Sequence, residues 1–91
     1  PAAPRIETSA PLPAMLDALK QVSGPLRDCA RLAGGVLLVQ FTTAEHGDRF
    51  ADVAVRSRTN PVVDRCVGDA TAELRFQPLQ EPQRFTEEYT P

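Results

Sequence analysis

The residues whose chemistry could matter most in this chain are two cysteines, one histidine and one adjacent pair of carboxylates: Cys29, Cys66, His46 and Glu87-Glu88. Two thiols and one imidazole fall short of the four ligands a structural zinc site requires, so no metal is expected. His46 sits in the turn signal His46-Gly47-Asp48, next to Glu45. Ser57 and Ser23 are the available hydroxyls, but neither stands in a nucleophile elbow, and a turn histidine without a catalytic neighbour reads as a solvated one. Neighbouring residues of a strand point to opposite faces, so Glu87 and Glu88 cannot share one acid–base site. Gly34-Gly35 is not followed by the Gly-Lys-Ser pattern of a phosphate loop. The chain is therefore expected to be neither an enzyme nor a cofactor carrier.

The cysteines depend on the elements that carry them. Residues 14–32 read as helical: Met15, Leu19, Val22, Leu26 and Cys29 recur at spacings of four and three and line one face. Gly24-Pro25 interrupts the run, which predicts a kink or two short helices, the second capped by Ser23 and stopped by Gly34-Gly35. A second helix opens at Asn60-Pro61, with Asn60 as cap and Pro61 at the first helical position. Its apolar stripe is Val63, Cys66, Val67, Ala70 and Leu74. Both stripes must face the same sheet, which allows the sulfurs to meet. Bonding them closes a loop of about 37 residues, worth roughly 3–4 kcal/mol in the chain-entropy model. The residues alone leave two readings open: a disulfide of an oxidising compartment, or two buried thiols of a reducing one.

Between the helices lie two strands. Residues 36–43 are β-branched and aromatic, with Leu37, Val39 and Phe41 on one face. Residues 50–57 follow the turn, with Ala51, Val53 and Val55 expected inward and Asp52 and Arg56 outward, making an antiparallel hairpin. Pro78 and Pro82 bound a loop, and 83–89 is the last strand, with Phe85 and Tyr89 on one face. The fold class is α+β: order α-β-β-α-β, a three-stranded antiparallel sheet with helices packed on one face. Residues 1–13, with Pro1, Pro4, Pro11 and Pro13, read as the end of a Pro-rich linker, either a disordered end or the last stretch of a long spacer; 14–91 form the domain.

Composition agrees with one small domain. The chain has 91 residues, 42% hydrophobic and 24% charged, with no Trp, so its core is built mainly of Val, Leu and Ala. Ten Lys and Arg are spread thinly and the net charge is −2, without the basic cluster that nucleic-acid binding requires. The longest apolar run, Val36-Leu37-Leu38-Val39, is far short of the ~18 residues of a membrane span. The start at Pro1 is read as that of a fragment or processed product, with any anchor upstream.

The ordered combination of these features resembles the carboxy-terminal domain of TonB-like energy transducers, most closely the AgmX/PglI branch of gliding-motility and envelope proteins. The residues that carry the resemblance are Cys29; Gly35 with Val36 to Thr42; Gly47; Ser57 and Thr59; Cys66-Val67; Phe76 and Pro78; and Tyr89. The chain departs from that pattern at Ala30, where the branch favours Tyr, in the short Cys29–Gly35 segment, and at Tyr89-Thr90-Pro91, where Tyr and Pro are expected to be adjacent. It is also one residue long at Arg49-Phe50, which a β-bulge would absorb. The resemblance implies a periplasmic domain at the end of a Pro-rich spacer from an inner-membrane helix. That domain would grip an outer-membrane or periplasmic protein segment and pass on work derived from the proton-motive force.

The site this implies is the last strand: Arg84, Phe85, Thr86, Glu87, Glu88 and Tyr89. A terminal strand of a three-stranded sheet leaves an edge to which an extended peptide can add through main-chain hydrogen bonds. The competing reading is an edge merely protected by the charges of Arg84, Glu87 and Glu88. Phe85 and Tyr89 are expected to face the helices, and Arg84, Thr86 and Glu88 to face away and set selectivity. The alternative function is a passive scaffold or dimerisation module of the envelope, on the same fold. An upstream membrane helix with a polar residue, before a long Pro-rich run, would favour transduction.

Overall fold

The computed structural model describes residues 13–57, 60–78 and 81–91, so the linker assigned to 1–13 lies, but for Pro13, outside the described residues, as does Thr59. The helical region is two helices, α1 (Pro13–Lys20) and α2 (Ser23–Ala33). They are separated by a tight turn in which the amides of Gln21 and Val22 donate to the carbonyls of Ala18 and Leu19. Ser23, expected as the cap of the second helix, is its first residue instead. Val22 holds the cap position, its carbonyl accepts from the Leu26 amide, and the Ser23 hydroxyl donates back to the Lys20 carbonyl at 3.0 Å. Gly24 and Pro25 then fall in the first turn, where a missing amide costs nothing because first-turn amides have no intrahelical acceptor. Gly34 ends α2 with φ at 81°, a left-handed conformation suited to glycine; its amide bonds Arg31 and that of Gly35 reaches Ala30, as in a Schellman cap.

Strands β1 (Leu37–Thr43) and β2 (Phe50–Val55) form the expected hairpin. His46 occupies the turn with φ at 61°, and the Gly47 amide closes it on the Ala44 carbonyl. Helix α3 (Pro61–Thr71) starts at Asn60, whose side-chain oxygen accepts from the Val62 amide at 2.8 Å, with Pro61 at its first position. β3 (Arg84–Tyr89) follows. The sheet order is β2-β1-β3, both outer strands antiparallel to β1, so α3 carries the chain across the central strand. This is a small α+β domain with its helices on one face of the sheet.

Strict alternation places Ala51 inward, but it is exposed, because the β1–β2 register slips: Thr42 pairs with Asp52 and Thr43 with Phe50. Ala51 is the extra residue of a bulge, as the long Arg49-Phe50 arm required. The bulge turns Phe50 onto the core face beside Val53 and Val55. Phe41 lies at the centre of an aromatic cluster, with ring centroids 4.7 Å from Phe50 and 5.5 Å from Phe85; Phe76 meets Phe50 at 5.2 Å. Leu74, assigned to the α3 stripe, lies past the helix end and joins the core from a turn in which its amide bonds the Thr71 carbonyl.

Helices α2 and α3 are bridged by a Cys29–Cys66 disulfide with Cα atoms 5.7 Å apart. Cys29 is fully buried, with Leu26 and Ala30 on the same side of α2, and Cys66 is half-buried near Val63 and Val67 of α3. Of the two readings left open by the residues, the structure shows the disulfide.

Candidate partner-binding edge

The site is built on β3 and its position outside β1. Phe41 pairs with Phe85, Val39 with Glu87 and Leu37 with Tyr89, which sets those three β3 side chains on the helix-covered face. Arg84, Thr86 and Glu88 pair with Thr42, Gln40 and Leu38 and lie on the opposite face. Glu87 and Glu88 are thus on two sides of the sheet, as adjacent strand residues must be. Phe85 is buried, and Glu87 and Tyr89 are half-buried.

Main-chain direction follows from two hydrogen bonds. The Thr43 amide donates to the Gln83 carbonyl at 2.9 Å, and the Arg56 amide donates to Leu38 on the other side of β1 at 2.8 Å. Since amide and carbonyl of one residue in an antiparallel strand point the same way, Gln83, Phe85, Glu87 and Tyr89 turn theirs to β1. Those of Arg84, Thr86 and Glu88 point to the outer edge. At the near end of that edge the Arg84 Nε is shielded from solvent and has no hydrogen-bond acceptor among the described residues.

Beside the edge, between α1 and the helix-facing side of β3, is a cleft of about 250 Å³ lined by Leu16, Leu19, Lys20, Ser23, Glu87 and Tyr89. Leu16 keeps 38% of its surface exposed, although it is a large apolar residue. The Lys20 ammonium lies 3.9 Å from Asp17 at an exposed position. Desolvation by the cleft walls raises the Glu87 carboxyl above its ordinary value near 4.5. Burial, and then the Glu87 charge, push the Tyr89 phenol up as well. The cleft does not signal itself in the sequence: Leu16 lies one position off the α1 stripe, and only the packing of α1 brings it and Glu87 into one lining.

The raised Glu87 value has a consequence for stability. A carboxyl with a higher folded than unfolded value binds more protons when folded, so its contribution is full below about 4.5 and is lost as pH rises through the folded value. Glu87→Gln removes that loss. In urea titrations the variant gains stability relative to the parent between about pH 4 and about pH 7; a difference that stays constant over this interval would show that the carboxylate is not desolvated.

The other candidate groups are dispersed. The His46 ring is exposed in the turn, with Nε2 3.7 Å from a Glu45 oxygen. The Ser57 hydroxyl accepts from the Leu38 amide at 3.1 Å and extends the β1–β2 ladder, while that of Ser23 is committed to Lys20. Among the described residues no three of His, Cys, Asp and Glu converge as metal ligands, and no helix is long and apolar enough to cross a membrane. Compared with protein-family models, curated proteins and solved structures, the chain shows no match.

Proposed function

We propose that this domain grips an extended segment of a protein partner along the outer edge of β3, as the periplasmic module of a TonB-like energy transducer or gliding-motility envelope protein. The observation that supports it most is the placement of β3: a six-residue outer strand with the main chain of Arg84 and Glu88 directed away from β1, and a side-chain cleft running alongside. Main-chain pairing supplies affinity in strand addition, and pockets beside the edge supply selectivity. The disulfide fits an oxidising compartment such as the periplasm. The partner is then an outer-membrane or periplasmic protein segment, and no catalysis, cofactor or nucleic acid enters the reading.

Dimerisation is the second reading, and one feature favours it. An antiparallel copy of β3 set so that Arg84 faces Glu88 has opposite charges paired at both ends. Such a pair would make the domain a passive envelope module.

Proline separates edge pairing from any other mode. The Glu88 amide points outward, so Glu88→Pro leaves the β1–β3 ladder intact, and proline is tolerated on an outer strand in that orientation. Decapeptides selected from a random displayed library against the oxidised domain should bind Glu88→Pro at least tenfold more weakly, with the melting temperature nearly unchanged. Equal binding to both proteins would exclude the edge.

A further inference from the structure

We propose that the cleft between α1 and β3 is a seat for one arginine side chain of the strand-added segment, so that the domain selects partners with a basic residue at a fixed position. This inference rests on strand addition at β3 and names what the site selects. In an added strand, the residue directly opposite Glu87 has its Cβ about 5 Å away on the same sheet face. That face is the helix side, and the cleft lies there. Its volume, about 250 Å³, is below the roughly 300–1,000 Å³ of small-molecule pockets and admits a single long side chain.

The lining says which side chain. Leu16 and Leu19 offer an apolar wall to an aliphatic stem, and Tyr89 adds aromatic surface to the lining, of the kind that attracts a planar cation. At the β3 side stands the Glu87 carboxylate, half-buried and without a hydrogen bond or ion pair among the described residues. The one cation of the lining, Lys20, is exposed, and its ammonium is 3.9 Å from Asp17 and makes no ion pair with Glu87. A partly desolvated carboxylate without a cation is stabilised by acquiring one, and a guanidinium forks onto it bidentately. An apolar side chain would fill the cleft and leave that charge more deeply buried and still unpaired.

The direct test uses n-butylguanidinium on the whole oxidised domain, followed by amide and carboxyl resonances, with n-pentanol as the apolar counterpart of similar length. Saturating shifts at Leu16, Lys20 and Tyr89 are expected with the guanidinium, together with a fall in the Glu87 titration midpoint and at least a fivefold weakening in Glu87→Gln. Equal or tighter binding of n-pentanol, or shifts centred elsewhere, would overturn the arginine seat. In the selected decapeptides, replacing the conserved basic residue by leucine should weaken binding at least tenfold. Decapeptides whose binding Glu88→Pro abolishes, but which share no basic position, would leave strand addition standing and overturn this inference. Decapeptides indifferent to Glu88→Pro would overturn both.

Discussion

Reduction of the Cys29–Cys66 disulfide is expected to lower the melting temperature by on the order of 15–25 °C. The bond joins α2 to α3 across 37 residues that contain the whole β1–β2 hairpin. Opening that loop returns chain entropy worth roughly 3–4 kcal/mol to the unfolded state. A domain of this size holds a total margin on the order of 5–10 kcal/mol, so the bond is a large share of it. Packing adds to the effect, because Cys29 has no exposed surface and a serine there buries a hydroxyl in the apolar core. Thermal melts of the oxidised domain, the reduced domain and the Cys29→Ser/Cys66→Ser variant check this. The variant should melt at or below the reduced protein, and a drop under about 5 °C for both would mean that the helices hold their positions without the bond.

Phe41→Ala is expected to cost about 3–5 kcal/mol. Phe41 is on the central strand, fully buried, and its ring touches both Phe50 of β2 and Phe85 of β3. Truncation therefore opens a cavity that no neighbour can close without moving both outer strands. Phe76 is half-buried at the rim of the same cluster, and Phe76→Ala should cost clearly less. Urea denaturation at constant m-value measures both. A Phe41→Ala cost below about 1.5 kcal/mol, or one equal to that of Phe76→Ala, would contradict the placement of the core centre.

The sequence is legible where local physics decides the outcome. Asn60-Pro61 starts α3 and Gly34 stops α2 because capping depends on a few adjacent groups. The odd-numbered residues 37–43 face the core because a strand covered on one side must alternate. Failures occur where a distant element overrides the local pattern. Strict alternation placed Ala51 inward, but burying Phe50 against Phe41 and Phe85 favours a bulge, and the extra residue at Arg49-Phe50 was its only trace. Leu74 kept the α3 spacing after the helix had ended, because a turn at Thr71 delivers it to the same core. The last strand, expected over 83–89, is β3 at Arg84–Tyr89, and the helix-facing side of Phe85 and Tyr89 is legible from their spacing. The same spacing assigns Glu87 to that side, but the cleft it lines depends on where α1 comes to rest, and no local pattern encodes that.

The central claim, that a partner segment adds to β3, is tested most directly by titrating the isotope-labelled oxidised domain with the tightest-binding selected decapeptide and mapping amide shifts. The amides of Arg84 and Glu88, which point to the outer edge, should move most, with smaller changes at Leu16 and Tyr89 of the cleft and little at the far strand β2. Intermolecular contacts between peptide and β3 α-protons should then show a β-ladder register. Shifts concentrated around His46 in the hairpin turn, or a β3 already paired with a second copy of the domain before peptide is added, would contradict the claim.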